Sequence, residues 1–358
     1  MLYHFLYPLR DEFFAFNIFK YITFRTVVAF LLATVISIIW GKYFIGFMQR
    51  KQFGQVIRDD GPESHLKKAG TPTMGGVFIL GTILLTLLIT GNFNSIPVLI
   101  TCGVTASYFV LGFIDDYAKI SKGNTKGVSA RGKLVWQFAT ALIAVFAMVH
   151  FNVIDTQLFV PFVKGPVFNL MSFFIIFGAI VIVGSSNAVN LTDGLDGLAI
   201  GPIITSAATL GFIAYATGHR EIASYLFVPY VENVGELAVI GAAIVGAGVG
   251  FLWYNTYPAQ IFMGDVGSLA LGGTLGTMAV LTRSELLFVI IGGVFVAEAV
   301  SVILQVASYK TRKKRIFKMA PIHHHFELLG WAEPKVIVRF WIISIFLAIL
   351  AIATLKMR

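Results

Sequence analysis

Long apolar stretches, each near the twenty residues a helix needs to cross about 30 Å of hydrocarbon, leave this chain very few folds. Cut wherever charge, proline or glycine-rich polar runs interrupt them, they give ten expected spans: 22–45, 73–90, 96–114, 133–153, 171–186, 198–217, 237–253, 266–282, 286–307 and 336–355. The short and glycine-rich ones are compatible with close packing against neighbouring helices. A soluble domain carries roughly a quarter of its residues in charged classes, whereas here 13% are charged and 57% hydrophobic. Those figures exclude a water-soluble domain and a disordered chain. The single cysteine, Cys102, excludes a disulfide scaffold. The first apolar run is too long for a signal-peptide core and is followed by Trp40, Gly41 and Lys42 instead of a cleavage pattern, so it stays as a helix. Residues 1–21, rich in Phe with Arg10, Asp11 and Glu12 interspersed, read as a segment lying at the membrane surface. The expected fold is therefore all-α, one polytopic transmembrane domain over 1–358.

Ten spans put alternate loops on alternate sides. One side receives 46–72, 115–132, 187–197, 254–265 and 308–335, with 16 of the 27 Lys and Arg; the other, termini included, receives 7. The excess of basic residues makes the first side cytoplasmic and both termini periplasmic. The net charge of +9 is then mostly a cytoplasmic basic skirt, suited to anionic lipid headgroups or phosphorylated ligands. No soluble basic domain exists to carry a nucleic acid.

The same parity gathers the unusual polar residues. Asp115 and Asp116, then Asp193 and Asp196, then Asp265, then His323, His324 and His325 all fall in loops of that one face. Adjacent carboxylates such as Asp115 and Asp116 repel unless a cation neutralises them; they are either a charged stop flanking a helix or part of a hard-cation site, with Lys119 and Lys133 close behind. Asn187, Asn190, Asp193 and Asp196 make either an Asx-rich turn with Gly194 and Gly197 or an array for sugar hydroxyls, a nucleobase or metal waters. Gly264 and Asp265 precede a span whose first turn holds Ser268, and Asp265 is either a helix N-cap or a partner of phosphate through a bridging cation, Mg2+ being the one that takes carboxylate and phosphate oxygens together. Three consecutive histidines diverge on any regular backbone, which disfavours one zinc site; a surface run, phosphate contacts and proton transfer remain open. Glu298 and Gln305 lie seven residues apart on one face of the ninth span, and an acid inside the membrane points to function or to interhelical hydrogen bonding. A transporter would place its polar residues near the midplane, whereas these acids gather at one interface.

In this order the segments Lys68 to Gly76, Asp115-Asp116, Asn187 to Gly197, Phe262 to Ser268 and Ala320 to Glu327 closely resemble the phospho-N-acetylmuramoyl-pentapeptide transferases, in the superfamily of polyprenyl-phosphate N-acetylhexosamine-1-phosphate transferases. The resemblance covers essentially the whole chain, and the histidine run separates this branch from relatives using UDP-N-acetylglucosamine; Phe326 stands where Tyr is also familiar. It implies ten transmembrane helices in the bacterial cytoplasmic (inner) membrane with periplasmic termini, a cytoplasmic-face active site and a homodimer. It implies transfer of phospho-MurNAc-pentapeptide from UDP-MurNAc-pentapeptide to undecaprenyl phosphate, giving lipid I and UMP, with Mg2+ required. Mapped onto this sequence, Asp265 holds the metal with support from Asp116, Asp115 deprotonates or orients the acceptor phosphate, and His324 with His323 and His325 contacts the sugar phosphate. Lys68, Thr73, Asn190, Asp193, Asp196, Asn255 and Phe262 match positions lining the uridine and pyrophosphate, and Lys119, Lys133, Asn187, Gly264, Ser268 and Gln305 complete the expected substrate site. A competing mechanism makes an aspartate a covalent nucleophile, and both stay open here.

Overall fold

Along the first helix, large apolar side chains point outward and small ones inward, the reverse of a soluble protein. Val27, Leu31, Val35 and Ile39 are more than half exposed, while Ala29, Ala33 and Ser37 on the opposite face are fully buried. Small inward residues let helix backbones approach closely, and large outward ones match lipid tails. The computed structural model describes residues 2–51, 70–122 and 127–357.

Three short helical turns (Leu2–Leu6, Tyr7–Asp11, Phe14–Lys20) lead into α1 (Ile22–Arg50), α2 (Gly76–Thr90), α3 (Ile96–Lys122) and α4 (Ala130–His150). A hairpin of β1 (Gln157–Phe159) and β2 (Pro166–Asn169) follows, with Leu158 opposite Phe168. Then come α5 (Phe173–Thr192), α6 (Ile200–Thr217), α7 (Arg220–Leu226), α8 (Leu237–Asn255) and α9 (Gly264–Leu281). The chain ends with α10 (Leu287–Ile291), α11 (Gly293–Arg312), α12 (Ile322–Leu328) and α13 (Glu333–Thr354). The protein is thus mostly helical, and this one hairpin is the only strand pairing among the described residues.

Among the described residues, eight helical segments are long and apolar enough to cross a membrane: α1, α3, α4, α5, α6, α8 with the turn before it, α11 and α13. Of the other expected spans, α2 is a shorter apolar helix. Helix α9 carries Gly264, Asp265, Gly267, Ser268, Gly272, Gly273 and Gly276, and every residue from Val266 to Leu281 is buried. A helix enclosed by protein need not present an apolar face to lipid. The expected ninth span is not continuous, because the chain breaks at Gly292 between α10 and α11.

Helix α9 packs between α3 and α5, while α8 packs against α1, α2 and α6. A second, smaller core of Leu195, Leu198, Val294, Val336, Ile337 and Phe340 carries Phe326 and Trp331 and seats α12. Buried ion pairs stand near the helix ends. Arg25 donates to both oxygens of Glu236 at 2.8 and 2.7 Å, and Arg283 pairs with Asp155 and the Gln157 carbonyl. The candidate site holds others.

Candidate active site

The site begins where α3 crosses the start of α9. Gly112 makes that crossing possible: a Cβ there would stand 2.4 Å from the Asp265 carbonyl oxygen and 2.6 Å from Val266 Cα. One turn further along α3 lie Asp115 and Asp116, both buried. The expectation that these two sit in a loop is corrected, because α3 continues to Lys122 and holds them on a rigid helix. The bend into α9 requires Gly264 in the left-handed region at φ +74°, where a side chain would also meet Asp116 Oδ2 at 2.5 Å.

Asp116, not Asp265, caps α9. Its Oδ2 accepts the Val266 N–H at 3.1 Å, so an acid from α3 satisfies a backbone donor left open at the helix start. Asp265 lies in the first turn of α9 with no capping bond from its neighbour at the N-cap, and its carboxylate turns to other partners. The N-cap reading of Asp265 is therefore corrected.

Two ammonium groups compensate the three carboxylates. Lys119 Nζ stands 2.6 Å from Asp115 Oδ2, 3.3 Å from Asp116 Oδ1 and 3.1 Å from Asp265 Oδ2. Lys133, at the start of α4, stands 2.8 Å from Asp115 Oδ2 and 2.6 Å from Asp265 Oδ2. Asp115 Oδ1 accepts the Val128 N–H at 2.6 Å. From α5, Asn190 Nδ2 donates to Asp265 Oδ1 at 2.9 Å and to Ser268 Oγ at 2.8 Å. Four helices thus converge on one carboxylate cluster.

Gln137 escaped the sequence reading. It is fully buried, donates to Ser186 Oγ at 3.1 Å and accepts from Asn187 Nδ2 at 2.9 Å; Ser186 in turn donates to the Leu269 carbonyl. A glutamine one turn beyond Lys133 in an apolar helix was the available signal, since i and i+4 share a face. Asn187 therefore braces α5 against α4, and Asn190 alone of the two asparagines reaches the carboxylates.

Around this centre the remaining candidates separate into two sets. Asp193 follows α5 and is half-buried; loss of solvent pushes its carboxyl up to about 8, and the negative charges of Asp265 and Asp116 add to the effect. Asp196 accepts the Ala259 N–H at 2.9 Å, and buried Asn255 donates to the Ile261 carbonyl at 2.8 Å. Both hold the segment that presents half-buried Phe262, whose backbone pairs with Pro72 and Gly75 beside buried Thr73. Lys68 lies outside the described residues.

The three histidines sit on the short helix α12 with separate polar partners, but the expected divergence is only partial, because the His323 and His324 ring centroids lie 4.1 Å apart. His323 is buried with Nδ1 at 3.1 Å from Glu298 Oε2, and its ring abuts Gly194, where a Cβ would meet Nε2 at 2.3 Å. His324 Nδ1 lies 2.7 Å from Glu327 Oε2. His325 Nδ1 accepts the Lys318 N–H. Of the three, His323 packs on the Asp193 turn. Gln305 is half-buried, and its amide binds the backbone of Ile316 and Phe317, so it shapes the approach to α12.

Asp115, Asp116 and Asp265 each offer an oxygen within 4.8 Å of the others. An all-oxygen, multiply anionic donor set is the chemistry of a hard divalent cation, and the two ammonium groups already show that positive charge belongs at this position. Mg2+ fits these residues.

Residues 97–283 match the profile of Glycosyl transferase family 4, and residues 68–80 match phospho-N-acetylmuramoyl-pentapeptide-transferase signature 1. The phospho-N-acetylmuramoyl-pentapeptide-transferase of Citrifermentans bemidjiense is 56% identical over 358 residues, covering 100% of both chains. Those of Geobacter sp. (strain M21) and Pelobacter propionicus are each 55% identical, again covering 100% of both chains. Identity of this extent, unbroken from end to end, means that the chain belongs to the phospho-N-acetylmuramoyl-pentapeptide-transferase family.

Proposed function

We propose that this chain transfers phospho-MurNAc-pentapeptide from UDP-MurNAc-pentapeptide to undecaprenyl phosphate, forming lipid I and UMP in the first membrane step of peptidoglycan synthesis. The observation that carries the reading is the carboxylate cluster of α3 and α9 with its two lysines, in a chain so similar to named transferases along its full length. Ten membrane crossings, with α2 and α9 completing the eight apolar segments, put both termini in the periplasm and the cluster at the cytoplasmic face of the bacterial inner membrane. The whole chain acts as one transmembrane domain and works as a homodimer.

An oxygen of undecaprenyl phosphate attacks the β-phosphorus, the bond from that phosphorus to the bridging oxygen breaks, and UMP leaves. Two anions must meet, so charge neutralisation and positioning supply most of the rate. Lys119 and Lys133 supply fixed positive charge beside the carboxylates and draw the acceptor phosphate in. Asp115, on a rigid helix and hydrogen-bonded to Val128, orients that phosphate and accepts its proton. Asp265 and Asp116 would hold Mg2+, which when bound stabilises negative charge on the pyrophosphate oxygens. Phe262 stacks on uracil, while Lys68, Thr73, Asn190, Asp193, Asp196 and Asn255 form or brace the nucleotide pocket. His323 fixes the Asp193 turn, leaving His324 and His325 for the sugar phosphate.

The test is UMP release in detergent from UDP-MurNAc-pentapeptide or UDP-GlcNAc, with undecaprenyl phosphate and with or without Mg2+. Release only from the muramoyl substrate, and only with Mg2+, is expected. Release from UDP-GlcNAc alone would move the chain to the neighbouring branch. A phosphosugar-enzyme adduct trapped in a single turnover would replace direct displacement with a covalent intermediate.

A further inference from the structure

Between Glu298 and Glu327 the sequence contains no acidic residue, yet Lys310, Arg312, Lys313, Lys314, Arg315 and Lys318 crowd into nine positions. All six are exposed, and among the described residues none forms an ion pair with a carboxylate. A solvated loop of this charge would ordinarily splay apart by self-repulsion. Here the fold holds it in place. Lys313 ends α11 in the left-handed region, and the chain doubles back so that Gln305 Oε1 accepts the N–H groups of both Ile316 and Phe317 at 3.0 Å. Gln305 Nε2 closes the turn by donating to the Phe317 carbonyl at 3.0 Å.

The hook follows the exposed, apolar end of α11. Beyond Ser301, α11 has no buried residue; Ile303 is 64% exposed and Tyr309 53%, and Ile316 on the returning strand of the hook is 55% exposed. Exposed apolar side chains therefore flank the cations on both sides, with Lys313 Nζ over the Tyr309 ring at 5.7 Å. Interleaved basic and apolar side chains at a helix end match an anionic interface, where the ring and aliphatic groups enter the headgroup boundary and the charges meet phosphate.

We propose that Lys310–Lys318 is a binding site for the headgroups of anionic phospholipids in the leaflet that borders the candidate active site. The site also has a route to the chemistry. Lys318 donates its N–H to His325 Nδ1 and its ammonium to the Leu328 carbonyl, so a headgroup that orders the hook also steadies α12. This assignment rests on the membrane-spanning reading and is independent of the transferase assignment.

The full chain, reconstituted in phosphatidylcholine vesicles, tests it through spin-labelled phosphatidylglycerol compared with spin-labelled phosphatidylcholine. Each cation near an anionic headgroup favours association about five-fold, so the wild type should select the anionic label at least five-fold in 0.1 M salt and lose most of that in 1 M salt. Arg312→Gln, Lys313→Gln and Lys314→Gln together should lower that selectivity several-fold, with Lys310, Arg315 and Lys318 still present, while Arg50→Gln with Lys51→Gln, removing two exposed basic residues at the end of α1, should leave it in place. Equal association of the two labels with the wild type, or full selectivity in the triple variant, overturns the proposal. So does displacement of the label by millimolar UDP or pyrophosphate, which would give the cations to the nucleotide. The salt series on the wild type keeps the test decisive even where the triple variant fails to fold.

Discussion

Replacing Gly112 with alanine tests the geometry of the site without touching a polar group. The new Cβ would lie 2.4 Å from the Asp265 carbonyl oxygen, 2.6 Å from Val266 Cα and 2.7 Å from the Asp265 carbonyl carbon. All three are backbone atoms, so no side chain can rotate away, and ordinary contact begins near 3.4 Å. Helices α3 and α9 must therefore part by about 1 Å, an overpacking penalty of about 1–3 kcal/mol. The displacement reaches Asp115 and Asp116 almost undiminished, since they are one turn along the same rigid helix, and the 3.1 Å bond from Val266 to Asp116 stretches past a useful length. A misplacement of about 1 Å reduces turnover about 100-fold. The assay is UMP release from the purified variant, read beside its thermal midpoint in detergent. Gly103→Ala is the control, because a Cβ at that position of α3 meets nothing within 4 Å, and it should match the wild type in both readings. Wild-type turnover and midpoint in Gly112→Ala would refute the claim that the α3–α9 approach positions the carboxylates.

Asp265→Asn should lower turnover about 1,000-fold, as loss of a principal electrostatic stabiliser does, yet leave a folded protein, because Lys119 and Lys133 both keep Asp115 as a partner; near-normal UMP release would dismiss its metal role. Gln137→Ala removes the bonds that tie Asn187 and Ser186 to α4, leaving Asn187 Nδ2 only the Val183 carbonyl of its own helix, and should destabilise the protein by about 1–3 kcal/mol while reducing turnover about ten-fold, which differential unfolding and the same assay would show; an unchanged midpoint would mean that the α4–α5 brace is idle. Burial holds the Asp193 carboxyl at about 8, against an ordinary value of 3.8. The folded state thus binds this proton more tightly than the unfolded chain, and stability from this group is greatest below pH 4 and declines as pH rises toward 8. The thermal midpoint of the wild type should fall further between pH 5.5 and 8 than that of Asp193→Asn, and identical slopes would overturn the assignment.

Most of the apolar helices were legible because hydrocarbon imposes its length on a crossing helix, and eight of them are long and apolar enough to cross among the described residues. What the sequence hid was the local price of helix continuity. A charge pair such as Asp115-Asp116 reads as the end of a span on hydropathy, but backbone hydrogen bonding carries α3 on to Lys122, and Lys119 can pair with Asp115 only because both lie on that helix at i and i+4. The reach of Lys133 and Asn190 toward Asp265 depends on how α4 and α5 cross α9, which no periodicity within one segment records. Likewise Gln305 and Asp196 have the composition of ligands, and only the folded chain reveals that their polar atoms hold turns.

A polar site in a membrane bundle faces a constraint that a soluble enzyme escapes, since every charge it collects must be satisfied before substrate arrives. Here the carboxylates serve structure and chemistry together. The start of α9 is the positive end of a helix dipole, which favours Asp265 and Asp116 there, and Asp116 spends one oxygen on the Val266 N–H while Asp115 spends one on Val128. Each of the two acids on α3 is thereby left with one oxygen for the shared lysines, whereas Asp265 gives one oxygen to Asn190 and the other to both ammonium groups. Of the three, Asp265 is the one bound only by side chains, and side chains can rearrange around an incoming ion where backbone donors cannot. That difference, set by where α3 and α9 begin and end, separates the acids that build the site from the acid best placed to change partners during turnover.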